Sequence, residues 1–166
     1  MEQQKAIDIL KQAILLEKRG YSFYSTVAEQ CKDEDVKNIF LTMANEETMH
    51  VKFLSDQFAH FDKTHSFLKV SLPEGNDSTS DHILSEEVKK KISAAGFEAA
   101  AISAAVDFEK RAIQIYSDRA AATGDPNERE LYTFLSEWEK THLKILSDLD
   151  TELKEKIWFD NQFWPF

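Results

Sequence analysis

The sequence contains a single cysteine, Cys31, among its 166 residues. That excludes a disulfide framework, a thiolate zinc site and a Cys-x-x-Cys metal module within this stretch, and it fits a reduced, cytoplasmic compartment. No apolar run approaches the ~20 residues needed to span a bilayer. Met1 to Leu15 carries Glu2, Lys5, Asp8 and Lys11 among its apolar residues, the pattern of an amphipathic helix and not of a signal peptide. Positive charge is also scarce, with 20 Lys and Arg against 30 Asp and Glu and a net charge of −10. Nucleic acid and anionic membrane surfaces select for basic patches, so neither is expected as a partner. Small molecules, cations and other proteins remain.

What is present suits one domain with a sizeable core: 42% hydrophobic and 11% aromatic residues. The apolar pattern is helical throughout. Over 3–30, Ile7, Leu10, Ile14, Tyr21, Tyr24 and Ala28 recur at helical spacing with Glu17 inside the series. Asp33 is suited to cap a second helix over 34–62, with a seam of Val36, Phe40, Met43, Glu47, His50, Leu54 and Phe61. The short joint between them makes the two helices antiparallel neighbours.

The periodicity then breaks in the turn-forming run Ser71 to Ser80, which holds Pro73 and Gly75, and 63–94 is expected to be a long crossover with a short helical piece around Ser85 to Ile92. A third helix is predicted over 95–123, its seam being Ala99, Ile102, Val106, Glu109, Ile113, Tyr116 and Ala120. Gly124, Asp125 and Pro126 stop it and start a fourth over 126–156, with Tyr132, Leu135, Glu139, His142, Leu146, Leu149 and Leu153 in its seam. The tail 157–166 is aromatic and aperiodic, and is expected to pack on the bundle or on a second subunit.

Within these seams stand six ionisable groups. Glu47 and His50 lie three residues apart on one helix face, as do Glu139 and His142, and a lone glutamate, Glu17 or Glu109, stands 30 residues before each pair. The two halves of the chain repeat at one offset, which makes them a duplicated helical hairpin. An isolated Glu-x-x-His in so acidic a chain means little, but two copies, each with its partner glutamate, need a common explanation. Burying that many charges without partners costs several kcal/mol each. Two divalent ions balance four carboxylates, and carboxylate oxygen with imidazole nitrogen suits iron or manganese. The zincin arrangement is excluded because His-Glu-x-x-His is absent. One Glu from each of two helices with Glu-x-x-His from each of the other two is the complement of ferritin-like di-iron bundles.

Tyr24 and Tyr116 follow Glu17 and Glu109 by two helical turns on the same faces, where they serve either as hydrogen-bond partners of the carboxylates or as ordinary core tyrosines. Gly20, one turn after Glu17, leaves either open space for a small oxidant or room for close helix packing. His60, His65 and His82 are expected in solvent, the Asp62 and His65 pair is expected to be a surface pair, and Cys31 is expected to be structural or incidental.

Together Ala13-Ile14-Leu15-Leu16-Glu17 with Tyr24, Glu47-Thr48-Met49-His50, Phe108-Glu109 with Tyr116, and Trp138-Glu139-Lys140-Thr141-His142 resemble the rubrerythrin branch of the ferritin-like superfamily. The resemblance covers the four helices. It implies an all-α, ferritin-like four-helix bundle made of two antiparallel helix pairs joined by a long crossover. It further implies a di-iron centre bridged by Glu47 and Glu139, with Glu17 and His50 completing one iron and Glu109 and His142 the other. Two departures stand out: Ala112 occupies the place of an additional glutamate usual in rubrerythrins, and the rubredoxin-like Cys-x-x-Cys module they usually carry is missing from these residues. The expected activity is reduction of hydrogen peroxide or dioxygen, as in defence against oxidative stress, with electrons from an external donor such as a rubredoxin. Iron oxidation or storage is the alternative, and a homodimer is expected.

Overall fold

The computed structural model describes residues 2–70 and 96–160 and contains four helices: α1 (Glu2–Gln30), α2 (Glu34–Thr64), α3 (Phe97–Ala122) and α4 (Pro126–Asp160). Among the described residues there is no strand. The predicted helical piece around Ser85 to Ile92, most of the crossover and residues 161–166 of the aromatic tail lie outside the described residues. α4 runs on past Lys156, the expected end, to Asp160.

The helix boundaries have local chemical causes. Asp33 turns its carboxylate onto the first free N–H groups of α2, those of Asp35 at 2.9 Å and Val36 at 3.2 Å. His65 ends α2 in the left-handed conformation, its N–H closing onto the carbonyl of Phe61 at 2.8 Å. Asp125 does for α4 what Asp33 does for α2, accepting from the N–H groups of Asn127 and Glu128 at 2.8 and 3.0 Å. The short joint before α4 is further held by Arg119 on Glu128 and by Arg129 on the Thr123 carbonyl.

α1 packs along α2 and α3 along α4, giving the two helix pairs of a four-helix bundle. The pairs meet through α1 against α3 and through a line of contacts between α2 and α4. Phe53 lies on Phe134 with ring centroids 5.4 Å apart, His50 on Trp138 at 4.8 Å, and Glu46 reaches His142 at 2.6 Å. Residue numbers rise on one helix as they fall on the other, so α2 and α4 are antiparallel.

Two apolar layers close the bundle above and below its middle. One gathers Val27, Phe40, Ile102 and Leu149, from the end of α1, the start of α2, the start of α3 and the end of α4. The other gathers Leu10, Phe61, Ala120 and Leu131 from the opposite ends of the same helices. The chain therefore leaves α2 at one end of the bundle and enters α3 at the other. The ionisable seam residues lie between the two layers.

The seams of α2 and α4 are buried at every position expected. Those of α1 and α3 are shifted. Tyr21, expected in the seam, is 45% exposed, and Val106 and Ile113 are only half-buried, while Ala13, Gly20, Ala105 and Ala112 are inside. Small residues face inward on these two helices because α1 and α3 approach each other closely there.

Candidate metal centre

Each helix contributes to one polar cluster at the bundle's middle. Glu17 from α1, Glu47 and His50 from α2, Glu109 from α3, and Glu139 and His142 from α4 are each at most 1% exposed. Every one of the six predicted side chains is thus brought to the same place. Their ligand atoms form two sets that overlap: Glu17, Glu47, His50 and Glu139 on one side, Glu47, Glu109, Glu139 and His142 on the other, each set spanning no more than 4.8 Å. Glu47 and Glu139 belong to both.

The two imidazoles face this centre with the same nitrogen. Nδ1 of His50 lies 3.0 Å from Glu17, 3.1 Å from Glu139 and 3.5 Å from Glu47. Nδ1 of His142 lies 3.1 Å from Glu139, 3.4 Å from Glu109 and 3.6 Å from Glu47. Both oxygens of Glu47, both of Glu139, one of Glu109 and Nδ1 of His142 have no hydrogen-bond partner despite complete burial. Buried polar atoms are rarely left so, and a group of them gathered around one point has the composition of a donor set that could hold a cation. The cluster is compatible with a di-iron centre.

Protons and ion pairs show the same imbalance. Burial pushes Glu17 well above the ordinary carboxylate range, with the charge of Glu139 adding to it. Glu109 is pushed up to about 8 for the same two reasons. Burial acts against the charge of Glu139 as well, but His50 and His142 outweigh it and hold that carboxyl well below its usual range. Burial likewise opposes charge on the histidines. The surrounding carboxylates, led by Glu139 for His50 and by Glu109 for His142, nevertheless raise both. Four carboxylates packed this closely need compensating positive charge, whether protons or metal ions.

The hydroxyls of Tyr24 and Tyr116 donate to carboxylates of the cluster, and they do so crosswise. Tyr24 on α1 bonds Glu109 on α3, and Tyr116 on α3 bonds Glu17 on α1. Each tyrosine serves the glutamate of the facing helix and not the one two turns before it. Gly20 is explained by close packing and not by open space. A Cβ there would lie 3.0 Å from the carboxylate carbon of Glu47 and 3.2 Å from the ring of Phe108. Ala112 is buried, with no acidic side chain in its place.

One residue of the site escaped sequence reasoning. Glu46 is 4% exposed, accepts from Nε2 of His142 at 2.6 Å, and accepts from the indole nitrogen of Trp138 at 3.2 Å. The signal was available: an inward imidazole needs an acceptor on its outer nitrogen, and Glu46 stands 92 residues before Trp138, the offset at which the halves repeat. The weaker candidates stay apart from the cluster. His65 is exposed, His60 is half-buried on α2, and His82 lies outside the described residues. Cys31 is buried, and burial pushes its thiol up to about 11, far from a reactive thiolate.

Fold and site together define a ferritin-like four-helix bundle with a buried carboxylate–histidine cluster. The family model described as Rubrerythrin matches residues 8–150, and the chain belongs to that family. No match is found among curated proteins or among solved structures. No helix among the described residues is long and apolar enough to cross a membrane.

Proposed function

We propose that this protein is a non-haem di-iron oxidoreductase that reduces hydrogen peroxide or dioxygen with electrons from a separate donor. The observation that carries this reading is the pair of overlapping donor sets sharing Glu47 and Glu139. Glu17 and His50 would hold one iron, Glu109 and His142 the other, and the shared glutamates both. When bound, two ferrous ions supply the two electrons that, with two protons, convert hydrogen peroxide to two waters.

The chain's own part is positioning and exclusion. Tyr24 and Tyr116 remain phenols, because burial and the adjacent glutamates oppose their ionisation, and so they keep donating to Glu109 and Glu17. That fixes the two terminal carboxylates without supplying further charge. The apolar layers at either end keep bulk water away, which strengthens every electrostatic contact within the cluster. No side-chain nucleophile is required.

Stopped-flow mixing of the reduced, iron-loaded protein with hydrogen peroxide, and separately with dioxygen, tests the proposal. Oxidation much faster than that of free ferrous ion is expected with at least one of them. Oxidation no faster with either would sink it.

A further inference from the structure

We infer that Glu46 is a positioning residue for His142 and that it makes the two metal positions inequivalent, an assignment resting on the di-iron reading above. A carboxylate 2.6 Å from Nε2 of His142 accepts that nitrogen's hydrogen. The lone pair is thereby left on Nδ1, the atom facing Glu47, Glu109 and Glu139, and otherwise without a hydrogen-bond partner. The indole N–H of Trp138 donates to the same Glu46 oxygen at 3.2 Å, fixing the carboxylate in turn. Tautomer, ring orientation and electron density on Nδ1 are thus all set by one side chain.

Among the described residues, the other half has no such device. The residue related to Glu46 by the 92-residue repeat is Trp138, and it stands against His50 with ring centroids 4.8 Å apart and planes 84° apart. Its one polar hydrogen is turned to Glu46. An indole ring offers no acceptor comparable to a carboxylate, and Nε2 of His50 has no hydrogen-bond partner among the described residues. His50 and His142 therefore present the same nitrogen to the cluster with different support behind them. Partners behind a ligating histidine are worth about 10- to 100-fold in metal affinity. The position built on Glu109 and His142 is accordingly the tighter one and fills first.

Anaerobic titration of the metal-free protein with cobalt(II), followed by visible absorption, tests this without any turnover. The wild type is expected to bind two ions in two resolved steps. Glu46→Ala should weaken the tighter step by about 10- to 100-fold and leave the weaker step within a few-fold. Glu46→Gln, which keeps the shape and an acceptor oxygen but loses the charge, should fall between, and it decides the matter if the alanine variant fails to fold. The effect of Glu46→Gln should vanish in a His142→Ala background and persist in a His50→Ala background, which general structural damage would not produce. Two ions bound with unchanged affinities in Glu46→Gln, or an equal loss in both backgrounds, overturns the assignment alone. A wild-type protein that takes up no cobalt(II) overturns the di-iron reading and the assignment with it.

Discussion

Tyr24 on α1 donates its hydroxyl hydrogen to Glu109 on α3, and Tyr116 returns the same bond from α3 to Glu17 on α1. The exchange ties the two helix pairs together through the site itself. Replacing either tyrosine by phenylalanine leaves a buried carboxylate oxygen without its donor. A loss of about 1–3 kcal/mol in unfolding free energy is expected for each, read from urea denaturation. The two variants should cost similar amounts, since the bonds are related by the repeat. A loss below about 0.5 kcal/mol in both would show that the hydroxyls contribute little.

Ligand substitutions should sort by the number of ions each side chain serves. Glu17→Ala and Glu109→Ala are expected to reduce bound iron from about two per chain towards one, and Glu47→Ala or Glu139→Ala to well below one, because each of the latter belongs to both donor sets. Iron analysis after reconstitution checks this. Equal retention in all four variants would contradict the shared role of Glu47 and Glu139.

Removing the metal should lower the melting temperature and make it depend on pH with a definite sign. Glu109, raised to about 8, and Glu17, raised in the same direction, hold protons in the folded metal-free protein that the unfolded chain gives up near 4.5. His50 and His142 are also raised. All four contribute stability that is present at low pH and lost as pH rises through their folded values. Glu47 and Glu139 are lowered, so their contribution is constant above their ordinary range. Thermal melts of chelated protein should therefore show falling stability from pH 6 to 9. A flat profile would count against a buried cluster of this composition.

Gly20→Ala separates folding from metal binding. Alanine favours the helix by about 1 kcal/mol, and in the metal-free protein the Glu47 carboxylate can turn aside from the new methyl. Metal-free stability should be unchanged or slightly raised. With metal bound Glu47 is no longer free to turn, and affinity should fall about tenfold or more, measured by competition with a chelator. Unaltered affinity would mean that the 3.0 Å approach is relieved elsewhere.

Much of this was legible in the residues. The seams of α2 and α4 are rich in Phe, Leu, Tyr and Met, and large apolar side chains reveal a buried face through their spacing. α1 and α3 were read less well, since their inner faces depend on Gly20, Ala105 and Ala112. Small residues give weak periodic signals, so Tyr21 drew the expected seam outward. Glu17, Glu47, Glu109 and Glu139 were found because a duplication repeated them. Glu46 was missed because its counterpart in the repeat is a tryptophan, and symmetry-based reading discards positions where the halves differ. The crosswise tyrosine bonds were beyond sequence spacing, which reports on one helix at a time.

The two apolar layers also decide the direction of traffic. Each end of the stack is corked by aliphatic and aromatic side chains, so the carboxylates are shut off from solvent along the long axis. On the flanks that closure falls to single rings, Phe108 and Trp138, each half-buried.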